Sequence, residues 1–143
     1  MRIFVISLIG AFVLVGCATT PLSSTQAKSA PRERVIAFQE KSAINNATLV
    51  LTRDEGFLGG GCFYALWINS ILAARLDVAE TAGFYIEPGE HVLRVGRDPL
   101  GKGLCAVDSD NWTQRETILR PNERKYFRLS LDANGKADIQ RSE

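Results

Sequence analysis

The chain falls into stretches of very different patterning. Residues 3–15 are apolar, broken only by Ser7 and Gly10. Residues 18–30, ATTPLSSTQAKSA, offer almost nothing to a core, and such Ser/Thr/Ala-rich sequence predicts a flexible tether. Over residues 31–43, Val35, Ile36 and Phe38 give a narrow apolar face, Ser29 can cap, Pro31 suits the first turn and Asn45-Asn46 can stop it. That pattern predicts a short helix. At about 12 residues such a helix is marginal alone and must pack on something.

From Ala47 onward the signals are strand signals. Ala47–Arg53 is β-branched and ends at Asp54-Glu55-Gly56, and residues 63–69, FYALWIN, form an apolar run of the length of a central strand. Asn69-Ser70 can turn that run into residues 72–77. Residues 83–86 lead to Glu87-Pro88-Gly89-Glu90, where Pro-Gly suits the centre of a type II turn. Residues 91–95 follow, then 113–119, which meet a second polar turn at Arg120-Pro121-Asn122-Glu123. In Arg124–Leu131, Phe127, Leu129 and Leu131 share one face while Arg128 and Ser130 share the other. Asn134-Gly135 is the strongest hairpin signal and pairs this strand with residues 136–140. Short strands at this spacing predict a mainly β chain, a small antiparallel sandwich preceded by one short helix, in a single domain over residues 31–143.

The first stretch reads differently. After Met1-Arg2, the apolar run of 13 residues has the length of a signal-peptide core and falls short of the roughly 20 residues a membrane span needs. It ends in Leu14-Val15-Gly16-Cys17. This resembles the bacterial lipobox, in which a branched residue and two small or medium residues precede a cysteine whose sulfur takes a diacylglycerol. The resemblance implies a leader over residues 1–16, lipidation of Cys17 and a membrane anchor at that residue. Ala18 stands where an aspartate commonly signals inner-membrane retention in such lipoproteins, which implies the outer membrane, facing the periplasm.

The whole chain carries 17 basic and 16 acidic residues, and removal of residues 1–16 takes only Arg2, leaving the two signs equal. A nucleic-acid binder shows a basic excess or stripe, and none is present; nor is there a polybasic membrane-surface segment. Of the three cysteines, acylation of Cys17 leaves Cys62 and Cys105. In an oxidising compartment an even pair most simply means a disulfide, whose loop of about 44 residues stabilises a small domain by roughly 4 kcal/mol in the chain-entropy model. The competing readings are a metal pair, poorly supplied with one histidine and no CxxC spacing, and a Cys-His catalytic pair with His91.

The order of features is similar to that of a group of uncharacterised bacterial envelope lipoproteins and of the PEGA-type β-sandwich modules. Thr52-Arg53-Asp54, the glycine-rich stretch running into Cys62, a hairpin over residues 66–76, Pro88-Gly89-Glu90-His91, Leu119-Arg120-Pro121-Asn122-Glu123 and Tyr126-Phe127-Arg128 carry the likeness, roughly over residues 47–140. The chain departs from it at Asn69-Ser70, where Asp-Gly is frequent, and at Asn122, where glycine is usual. The resemblance implies an immunoglobulin-like sandwich and no enzyme activity.

Four groups offer chemistry. His91, the only histidine, reads as a buried residue fixing the Pro88–Glu90 corner or as a general base; no GxSxG elbow accompanies it. Gly56-Phe57-Leu58-Gly59-Gly60-Gly61 lacks the Gly-Lys-Ser/Thr and helix of a phosphate loop and reads as a flexible connection that lets backbone pass close to its neighbours, whose exposed Phe57 and Leu58 offer a contact tip. Asp108-Ser109-Asp110-Asn111 opens like a calcium loop, but Thr113 and Leu119 stand where glycine and glutamate are needed. Trp67 reads as core, and Trp112, in a loop, as a partner anchor, with a sugar-stacking pair as the alternative. No cofactor or metal site is expected. The function expected is a lipid-anchored, non-catalytic envelope module contacting a protein or wall component; a small periplasmic hydrolase or an enzyme inhibitor is the alternative. The hydrolase requires His91 or Asp108 and Asp110 to converge in one pocket.

Overall fold

The computed structural model describes residues 18–107 and 110–142; the leader expected over residues 1–16 and the lipidation expected at Cys17 lie outside the described residues. Among the described residues nine strands form two sheets: β1 (Lys28–Ser29), β2 (Ala47–Arg53), β3 (Tyr64–Ile68), β4 (Ile71–Leu76), β5 (Glu80–Ile86), β6 (Gly89–Arg97), β7 (Trp112–Leu119), β8 (Arg124–Leu131) and β9 (Ala137–Ser142). One sheet runs β1-β5-β2-β8-β9 and the other β4-β3-β6-β7. The second is antiparallel throughout. The first contains a parallel pair at its centre, β2 beside β8, with Leu51 opposite Phe127, and the short β1 runs parallel to β5. The β-sandwich expected from the alternation is therefore present, with these parallel neighbours inside it.

Alternation builds the core as the pleat requires. Leu49, Leu51, Phe84, Ile86, Phe127, Leu129, Leu131 and Ile139 of the first sheet face Tyr64, Leu66, Ile68, Leu76, Leu93, Val95 and Leu119 of the second. Two-residue and corner connections then depend on left-handed backbone. Asn69 and Ser70 take φ 49° and 68° between the paired Ile68 and Ile71, the signature of a type I′ hairpin. Asn69 belongs to the residue types that tolerate this region, while Ser70, standing where glycine is frequent, is held in it as a non-glycine residue. Asn122 does the same at φ 60°, in the corner where the chain passes from β7 in one sheet to β8 in the other. Pro88-Gly89 is likewise a corner between sheets, with Gly89 at φ 140°. The Asn134-Gly135 hairpin forms, but as a longer loop: Gly135 donates its N–H to the Asp132 carbonyl at 2.9 Å, and Asp132 donates to Lys136 at 3.1 Å.

Two expectations are corrected. The helix over residues 31–43 does not form. One 3₁₀ turn, Arg32–Arg34, is followed by extended chain, because tertiary partners outcompete the local ladder. Val35 bridges Ala74, the amides of Ile36 and Ala37 donate to the Ala73 carbonyl, and Phe38, at φ 61°, accepts from the Tyr85 amide. Arg34 makes a two-point bond to Glu80, each contact 2.6 Å. The segment 18–30, read as a free tether, lies along the domain. Thr19 and Thr20 bond to Leu131 and Glu55, and Lys28 and Ala30 to Ala79 and Thr81. Thr and Ser supply few apolar atoms but many donors and acceptors, and edge backbone is a ready partner for them. Among the described residues no helix is long and apolar enough to cross a membrane.

Candidate functional site: the disulfide-braced end of the sandwich

Strand directions sort the connections into two ends. One end gathers residues 54–63, 77–79, 98–107, 110–111 and 132–136 with residues 18–20. The other holds the Asn69-Ser70 hairpin, His91 and both corners between sheets.

The first end is built around Arg53, which is 1 % exposed. Its guanidinium donates to the carbonyls of Cys62 at 2.8 Å, Leu76 at 2.9 Å and Gly59 at 2.9 Å and stacks on the Tyr64 ring, 4.7 Å from its centroid. Burial pulls this group below the ordinary arginine value, while Asp77 and Glu80 act in the opposite sense; guanidinium stays charged regardless. A buried cation without a carboxylate partner must be satisfied by dipoles, and the loop over residues 56–62 turns its carbonyls inward to do so. Gly59 makes that approach possible: at φ 68°, a Cβ there would stand 2.6 Å from Leu131 Cδ1. The glycine-rich stretch is therefore an arginine-filled cradle of carbonyls and not a loose connection.

Beside it, the buried Asp54 forms an ion pair with the half-buried Arg128, with two further contacts of 3.2 Å from the Arg128 Nε. Thr19 caps this pair: its hydroxyl accepts the Leu131 amide at 2.9 Å and lies 3.3 Å from both Asp54 Oδ2 and the Leu131 carbonyl.

Cys62 and Cys105 are bonded to each other, with Cα atoms 5.4 Å apart, as the cysteine count predicts. The bond removes both thiols, so neither a thiolate metal ligand nor a sulfur nucleophile is supplied by them. It ties the carbonyl cradle to residues 98–107. Of the three contact residues singled out in the sequence, Phe57 is 97 % exposed at the tip of the cradle, whereas Leu58 packs partly onto the core. Trp112 is not in a loop; it opens β7, opposite Gly96.

The tryptophans correct a further expectation. Trp67 is not core. It lies on the outer face of its sheet, opposite Arg94, whose guanidinium sits 4.5 Å from the Trp67 ring and 5.5 Å from Trp112. An arginine between two indoles fills the space a stacked sugar ring would take and leaves a rigid aromatic–cationic face. Farther along that face, Phe63 is held between Arg34 and Arg75.

His91 is at the far end. Its Nε2 lies 2.7 Å from the Glu87 carbonyl and its Nδ1 2.8 Å from Asn69 Nδ2. Asn69 Oδ1 accepts the Val92 amide, which orients the Asn69 amide and makes Nε2 the protonated nitrogen of His91. Both ring nitrogens are thus engaged in fixing a corner. Asp110 adjoins the start of β7, about 17 Å along β6 from His91 by strand rise, so the two do not converge; Asp108 lies outside the described residues. A groove of 910 Å³ runs between the edges β7 and β9 over Phe127 and Ile139, with Arg115, which pairs with Asp138, on its wall. Among the described residues there is no group of three or more His, Cys, Asp or Glu side chains placed for a metal, and every buried side-chain nitrogen and oxygen has a hydrogen-bond partner.

Sequence reasoning missed Arg53, Asp54–Arg128 and Thr19. A signal for the first was available: an arginine closing a strand immediately before a run of glycines, whose carbonyls are unshielded by side chains. No protein-family model matches the chain, and no curated protein matches it.

Proposed function

We propose that this chain is a lipid-anchored, non-catalytic module of the bacterial cell envelope, held in the outer membrane on the periplasmic side, that binds an envelope protein or wall component. One observation carries the reading. The apolar run ends in Leu14-Val15-Gly16-Cys17, and the remaining two cysteines are committed to one bridge, leaving Cys17 outside it. A bridge of this kind suits the oxidising compartment that a lipoprotein enters. The resemblance to PEGA-type modules in turn and strand sequence supports the same class.

The non-catalytic part is supported by His91, whose two nitrogens serve Asn69 and the Glu87 carbonyl and so have no lone pair or proton to spare for a substrate. Partner binding is supported by the Trp67–Arg94–Trp112 face, since aromatic and arginine side chains held rigid are the usual anchors of interfaces. The decisive test is the mass of the native protein and of Cys17→Ser. The native chain should lack residues 1–16 and carry acyl mass on its first residue, while C17S keeps its leader and gains no lipid. Native protein retaining Met1 with no acyl mass would refute the anchor. For the partner, a photoreactive side chain at Gln114, opposite Arg94, should capture one stoichiometric envelope component; capture of random neighbours only would refute that face.

A further inference from the structure

The braced end carries the two most exposed large apolar side chains of the described residues, Phe57 at 97 % and Leu104 at 85 %. Leu100 and Val107 are each more than half exposed on the same connection as Leu104. Charge is sparse within the two loops that carry them, with the exposed Glu55 and the Arg97 guanidinium, 3.5 Å from the Leu104 carbonyl, at their edges. Residues 56–63 contain no titrating group once Cys62 is bridged, and residues 99–107 contain only Lys102. These side chains cannot fold inward to hide. Arg53 holds the carbonyls of Gly59 and Cys62 from below, and the disulfide ties both loops together. A set of apolar side chains projecting from a rigid base with one cation among them has the composition of a segment that enters the boundary between headgroups and acyl chains.

The start of the described chain says which surface lies opposite. Thr20 and Glu55 exchange two backbone hydrogen bonds, 2.7 and 3.1 Å. Thr19 packs so tightly on Gly56 that a Cβ there would stand 3.1 Å from its Cγ2. Gly56 is the neighbour of Phe57. Two residues of chain reach at most about 7 Å, so a lipid carried two residues before Thr19 is tethered to the end that holds Phe57 and not to the end that holds His91. A bilayer that receives the acyl chains of Cys17 is brought against this end of the sandwich, from which these two loops project their apolar side chains.

We propose that the braced end is a bilayer-contact surface. Phe57 and Leu104, flanked by Leu100 and Val107, enter the leaflet that holds the acyl chains of Cys17, and Lys102 meets its phosphates. The inference rests on the acylation of Cys17 proposed above and adds to it a fixed orientation: the His91 end points away from the membrane, and the Trp67–Arg94–Trp112 face is presented sideways. The two claims are separable by experiment. The full-length chain is produced in a bacterial envelope with an outer membrane, carrying a benzophenone amino acid in place of Phe57 or Leu104. Controls carry it in place of Ile71 or Ile44, exposed apolar residues of the far end. After irradiation, mass spectrometry reads both the N-terminal peptide and the probe peptide. Phospholipid adducts are expected at 57 and 104 and not at 71 or 44. An acylated Cys17 with no lipid adduct at 57 and 104, or with a protein captured there instead, overturns the bilayer contact while leaving the anchor standing. An unmodified Cys17 overturns the anchor and the orientation with it.

Discussion

Replacing both Cys62 and Cys105 by alanine isolates what the bridge contributes. Their separation in the chain is 43 residues, and the chain-entropy relation for a loop of this size gives about 4 kcal/mol of stabilisation through the unfolded state. Unfolding about 125 residues carries an entropy near 0.26 kcal/mol/K, so the midpoint should fall by about 15 °C, or by about 8 °C where the reduced chain retains structure. The native side of the balance changes little. β3 and β6 are neighbours, with Tyr64 opposite Arg97 and the Asp98 amide donating to the Phe63 carbonyl, so sheet register already brings residue 62 to the start of the loop that carries residue 105. Two further consequences separate this account from simple loss of packing. The urea m-value should rise, because an uncrosslinked unfolded chain exposes more surface. Hydrogen exchange should accelerate at the amide of residue 105, which donates to the Lys102 carbonyl, and hardly at Gly60, which donates to Phe57 inside the cradle that Arg53 still holds. Thermal melts by circular dichroism, urea titration and exchange mass spectrometry measure all three. A midpoint lowered by less than about 3 °C with an unchanged m-value would refute the loop-closure reasoning.

Arg53→Met leaves the carbonyls of Gly59, Cys62 and Leu76 without the arginine donor, and at about 1–3 kcal/mol per orphaned group, partly offset by the charge no longer buried, the loss should be about 3–5 kcal/mol in urea unfolding; a loss under 1 kcal/mol would show the cradle to be incidental. Gly59→Ala adds both left-handed strain and a clash with Leu131, while Gly61→Ala, at φ 81° with open space around it, adds strain alone, so G59A should cost more than G61A by about 1–3 kcal/mol; equal costs would contradict the packing. Glu123 is held below its ordinary carboxyl range by the Arg120 amide, with Lys125 adding to it. At Asp138 burial pushes upward but is outweighed by hydrogen bonds from Gln140, Arg115 and the Ile139 amide, so its range is also lowered. Both contributions are therefore complete above the ordinary values of 4.5 and 3.8 and drain away as pH falls through the lower folded ones; Glu123→Gln with Asp138→Asn should flatten the acid limb of the urea midpoint, and an unaltered limb would count against the assignment.

The strands were legible because a half-buried pleat enforces period two: Phe127, Leu129 and Leu131 had to share a face with their neighbours whatever the topology. What alternation does not encode is which strands pair, so the parallel contact of β2 with β8 was not readable. The helix failed for a physical reason. A stripe of Val35, Ile36 and Phe38 fits a helix or a strand edge equally, and here the Ala73 carbonyl and Glu80 carboxylate offered better partners than the next turn. Trp67 misled because an indole can be covered by an arginine as well as by a core; no local pattern announces Arg94 across the sheet. At the braced end the disulfide and the exposed Phe57 were in the sequence, through counting and through glycine spacing. The clamp was not, because a threonine in a polar stretch looks the same whether solvated or bound.

On the proposed anchor at Cys17, that clamp decides whether the domain has an orientation at all. A free tether of about 13 residues has a mean reach near 20 Å and would let either end of the sandwich face the membrane. With Thr19 and Thr20 bound, only the braced end is close enough. Thr19→Val keeps the shape and removes the oxygen that accepts the Leu131 amide at 2.9 Å. The clamp should weaken by about 1–3 kcal/mol, a factor of roughly 5 to 150 in the open population. Because residues 18–27 can open without unfolding the sandwich, the thermal midpoint should barely move while limited proteolysis within that segment accelerates by such a factor. Phospholipid adducts from the probe at residue 57 should fall together with it, and Thr19→Ser, which keeps the oxygen, should restore both. If T19V is cleaved no faster than the native chain and still delivers residue 57 to lipid, the hydrogen bonds at Thr19 are not what orients the domain.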